Sequence, residues 1–259
     1  MNDIRKLKAT GTAMIAGCVL LIALAVGFLA KTHEPPLRPG DLRAEGKPLT
    51  GSTMILLDQT DPYTPSQVHG LLQRLDALER DELRPNELVE AWAIGDYKEG
   101  NLRELFHKCF PGIKANPIVN TPSMIAARCE SLFFRPLAMA VIRAAEGDSA
   151  ARSAIFESVH ELAGTADFTD VTKPRRLVLA SDLIEHADSL SFYHAVPDLT
   201  TFLGSSFFQE MQANLQGVDV VVLYLTRRRD AVVSGDAVRR LWAEYFHACG
   251  AKSVRFERL

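Results

Sequence analysis

Residues 218–225, VDVVVLYL, are apolar at every position but Asp219, and four of them are valine. A strand with one wet face alternates polar and apolar residues; a strand buried on both faces reads as a continuous apolar run. Three shorter runs upstream have the same form. They are STMILL (52–57), closed by Asp58; LVEAWAI (88–94), closed by Gly95 and Asp96; and RLVLA (176–180), closed by Ser181 and Asp182. Helical patterns separate them. Thr64 can cap a helix with Pro65 at its first position, continuing through Val68, Leu71, Leu72, Leu75 and Leu78. Residues 123–145 are mostly helical despite Pro136, 153–163 form a shorter helix, 207–215 are helical, and 237–249 precede a last strand at 253–256. A further strand is expected over 102–109. Alternating strands and helices, with strands apolar on both faces, predict an α/β fold: a doubly wound, mostly parallel open sheet flanked by helices. Ligands of such sheets bind beyond the carboxyl ends of the strands, so Asp58 and Asp182 are the positions to inspect.

The 259 residues are 47% apolar and 24% charged, which excludes a collagenous, coiled-coil or wholly disordered chain. A net charge of −3 gives no basic surface for nucleic acid. Four cysteines are too few for a disulfide scaffold in a chain long enough to bury a core. The charge is unevenly placed: residues 1–31 hold four Lys/Arg against one acid, and the remainder holds 25 against 31.

From Ala13 to Ala30 the chain reads AMIAGCVLLIALAVGFLA, 18 residues without a charge. With Gly11 and Thr12 this gives about 20 residues, the number a helix needs to cross ~30 Å of hydrocarbon. Arg5, Lys6 and Lys8 precede it and should stay inside, exporting the body. A cleaved signal peptide is the rival reading, with Ala23-Leu24-Ala25 as its site. Ile15-Ala16-Gly17-Cys18 also has the form of a bacterial lipobox. Both leave too many apolar residues beyond the cut. The expected organisation is a cytoplasmic stretch 1–10, one transmembrane signal-anchor helix 11–30 in contact with lipid, a Pro/Gly-rich linker 31–51 that holds the domain off the bilayer, and an α/β domain 52–259. This places the protein in a bacterial inner membrane with a periplasmic domain.

Asp58-Gln59-Thr60-Asp61 sets a carboxylate, a hydroxyl and a second carboxylate in one turn, and Asp182 ends a strand that can lie beside the first. Ser153 opens the helix before that strand, where its hydroxyl is a helix cap or a ligand. Hard oxygens on converging loops suit Mg²⁺; the same carboxylates can simply solvate turns and cap helices. The whole arrangement, over 52–256, resembles a von Willebrand factor type A (VWA) domain. In that family the first strand ends in Asp-x-Ser-x-Ser, and a Thr and an Asp from later loops complete a metal-ion-dependent adhesion site. Asp58 matches the first Asp, Thr60 keeps a hydroxyl at the first Ser, and Pro62 stands at the second. Ser153 matches the Thr, with Ser149 as a weaker choice, and Asp182 matches the last Asp. Leu183 replaces the glycine usual after it. The resemblance implies a metal set of Asp58, Thr60, Ser153 and Asp182 that holds Mg²⁺ weakly or not at all. It also implies a domain that binds other proteins and is not itself an enzyme. The alternative is an exported metal-dependent hydrolase using Asp58 and Asp182.

None of the seven histidines forms a helical zinc pair or a His-Glu-x-x-His run. His186 and His194 flank the stretch after Asp182, with Glu185 and Asp188, and this loop is expected at the surface. Arg227-Arg228-Arg229 is read as a solvated loop. Cys109 and Cys129 are in reach of a bridge only if their α-carbons approach.

Overall fold

The computed structural model describes residues 2–32, 35–97, 100–113, 121–146, 151–193, 195–226 and 235–259. Ser149, His194 and the Arg227–Arg229 run lie outside the described residues. Six strands form one sheet in the order β3-β2-β1-β4-β5-β6: β1 (Ser52–Asp58), β2 (Leu88–Tyr97), β3 (Gly100–Cys109), β4 (Arg175–Ser181), β5 (Asp219–Tyr224) and β6 (Ser253–Arg258). All neighbouring pairs are parallel except β2–β3, an antiparallel edge. The expected α/β doubly wound, mostly parallel sheet is present.

The two-residue period of the strands divides the core in two. Met54, Leu56, Val220 and Val222 face one core, with Ile155, Phe156 and Trp242. Ile55, Leu57, Val221 and Leu223 face the other, with Leu71, Phe133 and Val141. All seven residues of β1 are buried, as a central strand covered on both sides must be. In the first core the rings of Phe156 and Trp242 stack 3.9 Å apart, fixing α5 (Ile155–Ala163) against α8 (Gly235–Ala248).

The helix after β1, α2 (Pro65–Asp81), starts as its residues require: Thr64 and Gln67 form a reciprocal capping box, with Pro65 in the first turn. The helical stretch containing Pro136 is continuous. It runs as α3 (Pro122–Cys129), a π-turn (Glu130–Phe134) and α4 (Arg135–Ala145). A proline leaves the carbonyl four residues back without its helical donor. Here that carbonyl belongs to Leu132, and Lys108 Nζ donates to it at 3.1 Å.

Two local expectations are corrected. The helix expected over 207–215 is only α7 (Ser206–Glu210), which follows α6 (Leu199–Leu203). The segment 35–51 is non-helical but does not stand off as a spacer. Leu42 buries its side chain in the second core, and Asn86 Oδ1 accepts from Ala44 N. The question left open for Cys109 and Cys129 is answered: they are separate buried thiols.

Residues 2–32 form α1 (Asn2–Thr32), which contains the expected span 11–30. From Met14 to Phe28 its large apolar side chains are more than half exposed. Among the described residues no helix is long and apolar enough to cross a membrane; the side chains at 12, 13, 29 and 30 are outside the described set.

Candidate metal-ion and binding site

The strand order reverses between β1 and β4, and the crevice beyond their carboxyl ends is where open α/β sheets bind ligands. Asp58 ends β1 there, wholly buried. Its Oδ1 accepts from Thr60 N at 3.1 Å and Thr60 Oγ1 at 2.8 Å. Its Oδ2 accepts from Ser181 Oγ at 2.7 Å and Ser153 Oγ at 3.4 Å. Three hydroxyls from three segments therefore converge on one carboxylate. Asp182 is the next residue after Ser181, at the same end of the sheet and 6% exposed; its Oδ1 accepts from Ile184 N at 2.9 Å. Of the four expected ligands, Asp58, Thr60 and Ser153 are joined by direct hydrogen bonds. Asp182 follows β4 at the paired strand's end.

Ser153 is not a helix cap. It lies outside α5, bridged to His186 through both backbone groups. The cap comes from Glu185: its Oε2 accepts from Ile155 N at 2.9 Å and Phe156 N at 3.1 Å, the orphan amides of the first turn. Glu185 is fully buried, not a surface-loop residue, and its Oε1 has no partner. Burial, and then the neighbouring charge of Glu157, push its carboxyl well above the usual range; the two amide bonds oppose this, and Asp58 adds to the rise. The loop between β4 and α6 thus turns inward, with Phe192 buried and Phe192 N donating to Glu185 O.

Leu183 adopts φ +64, the left-handed conformation that favours glycine. The backbone makes a turn there that a glycine would take without strain, while the leucine side chain fills the first core.

Two residues here carry weight that their sequence positions do not announce. Ser181 bonds Asp58 and accepts from Leu183 N at 2.8 Å, and Glu185 caps α5. A serine ending a strand and a glutamate in a loop are common; only the register and the fold of the loop assign them roles.

The oxygens of Asp58, Thr60, Ser153 and Asp182 are the donor class that Mg²⁺ takes. Asp58 is fully buried, near a second buried carboxyl, and its hydrogen bonds come from hydroxyls and an amide rather than from a Lys or Arg. Such a set fits a cation. Pro62, exposed, adds no side-chain ligand.

The chain thus folds as a doubly wound six-stranded sheet with an antiparallel β3 edge and an acidic β1 terminus. Among solved structures the chain is similar to the SpRpn10 VWA domain, at 9% identity and TM-score 0.37 over 82% of this chain and 88% of that one. It is similar to an aerotolerance-related membrane protein from Bacteroides fragilis, at 12% identity and TM-score 0.38 over 80% of this chain and 90% of that one. It is also similar to the conserved hypothetical protein BatB from Bacteroides thetaiotaomicron, at 14% identity and TM-score 0.37 over 80% of this chain and 89% of that one. These are likenesses of fold alone. No family model matches the chain, and no curated protein matches it.

Proposed function

We propose that the chain is a membrane-anchored, VWA-like protein-binding module whose binding site is the carboxyl end of β1 and β4. The observation that carries this reading is the convergence of Thr60, Ser153 and Ser181 hydroxyls on the buried Asp58 carboxylate. Burying a carboxylate is costly unless it is hydrogen-bonded, and this one sits at the sheet end where open α/β folds bind ligands. Mg²⁺, held by Asp58, Thr60, Ser153 and Asp182, would supply an electrophilic position for a carboxylate of the partner protein. With Pro62 in place of a ligand, the affinity for the ion is weak.

The anchor is the uncharged run Ala13–Ala30, with Arg5, Lys6 and Lys8 on the inner side and the domain outside the cytoplasm. The exposed apolar side chains of α1 from Met14 to Phe28 support it, since bilayer contact would cover them.

The hydrolase alternative would have to use Asp58 itself as its base. Thr60, Ser153 and Ser181 all donate to Asp58, and none of these hydroxyls bonds a histidine among the described residues. The test is capture from membranes by the full chain and by Asp182→Ala. The reading expects a partner retained by the parent chain and lost both with the variant and on chelation of Mg²⁺. A partner set indifferent to both would contradict it.

A further inference from the structure

We infer that the chain holds a second divalent-cation site, of the first-row type that accepts nitrogen as well as oxygen, built by Glu90, His107 and Asp167. Their ligand atoms all lie within 4.8 Å of one another. The site is distinct from the Asp58 crevice. Glu90 pairs with Met54 in β1, and Asp58 pairs with Ile94, so the two lie four residues apart along β2, roughly 13 Å.

The antiparallel edge builds this cluster. Glu90 on β2 stands opposite His107 on β3, and His107 Nδ1 lies 2.8 Å from Glu90 Oε1. The register then shifts between Ala91 and Trp92, which faces Glu104. That irregularity brings Glu104, three residues from His107, onto the same face, with its Oε2 3.7 Å from His107 Nδ1. In a regular strand, residues three apart point to opposite faces. Asp167 arrives from the loop after α5. The loop is pinned by buried Phe168, whose carbonyl accepts from Arg175 Nη1 at 2.7 Å.

A cation is called for by Glu90 in particular. Its side chain is 5% exposed, one oxygen meets His107, and the other, Oε2, is buried without a hydrogen-bond partner. Buried carboxylate oxygens are satisfied or coordinate metals. Burial raises the Glu90 carboxyl above its usual range, His107 pulls it back, and Asp167 adds to the rise. One imidazole with carboxylates suits Zn²⁺ and its neighbours rather than Mg²⁺ or Ca²⁺, which prefer oxygen alone. Three protein ligands leave positions for water or for Glu104. A bound ion would clip the β2–β3 edge to the loop after α5.

The test is titration of the chelator-stripped full chain in detergent with Zn²⁺, by calorimetry and by thermal melting. Co²⁺ then serves as a spectroscopic probe of the ligand field. One Zn²⁺ per chain is expected in the micromolar range, with a raised melting temperature. His107→Ala should weaken binding by roughly tenfold or more, and Glu90→Gln should do the same. Asp167→Asn, at an exposed position that cannot compromise the core, should alter the Co²⁺ spectrum. Asp58→Asn should leave Zn²⁺ binding intact. Absence of micromolar binding, binding unchanged in His107→Ala and Asp167→Asn, or binding lost in Asp58→Asn would each overturn the site.

Discussion

Ser181 Oγ donates to Asp58 Oδ2 across 2.7 Å, tying the carboxyl ends of β1 and β4 together at the point where the sheet order reverses. The same hydroxyl accepts from Leu183 N, so its proton is directed at Asp58. Serine at 181 thus holds both the carboxylate and the start of the loop that carries Asp182.

Ser181→Ala removes this donor and leaves Asp58 Oδ2 with only the longer bond from Ser153. A buried carboxylate oxygen stripped of its best donor costs about 1–3 kcal/mol. Urea unfolding of the detergent-solubilised chain should show a loss of this size. Unchanged stability would mean that water replaces the hydroxyl.

Leu183 sets two effects against each other. Its side chain is wholly buried, so Leu183→Ala should cost about 2–5 kcal/mol. Its φ of +64 is strained for any residue with a Cβ. Leu183→Gly loses the same packing but relieves the backbone, and should be more stable than Leu183→Ala by about 1 kcal/mol. The reverse order in thermal melting would show that the turn is not strained.

Val221 occupies the middle of β5, between β4 and β6, with no exposure. Val221→Asp places an unpaired charge in the second core and should yield no soluble folded domain. Cooperative melting near the parent temperature would contradict a two-sided sheet at this strand.

Glu79 accepts from the Cys129 thiol at 3.0 Å, and burial raises its carboxyl to about 7. The folded state therefore keeps this proton over a range where the unfolded chain has released it. That contribution is fully present below the unfolded value of 4.5 and is lost as pH rises to about 7. Glu79→Gln should flatten this part of the pH–stability profile. A profile that keeps its slope in the variant would assign the slope to other groups.

The fold was legible wherever burial on both faces left apolar residues at successive positions, as at 54–57 and 220–225. Thr64 and Pro65 likewise announced α2 through local chemistry. The carboxylates at the ends of β1 and β4 followed from those runs, because a doubly wound sheet presents its strand ends as a site. What sequence reading missed depends on pairing between distant segments. Ser181 becomes a donor only when β4 lies beside β1. Glu185 becomes a cap only when its loop folds inward over α5. Glu90, His107 and Asp167 carry no helical or short-range spacing, and only the antiparallel register with its irregularity at Trp92 brings them together. The brevity of α7 reflects a turn after Glu210 that an apolar count over 207–215 does not reveal.

The most direct test of the central claim is the Mg²⁺ dependence of melting for the full chain in detergent, made with His107→Ala to silence the second site. Mg²⁺ should raise the melting temperature with the logarithm of its concentration above the dissociation constant, by about 2.7 kcal/mol of stabilisation at 100 times that constant. The account predicts no rise when Asp182→Ala is added, although that chain still melts cooperatively. A melting temperature indifferent to Mg²⁺, or a rise that survives Asp182→Ala, would contradict a cation site at the ends of β1 and β4.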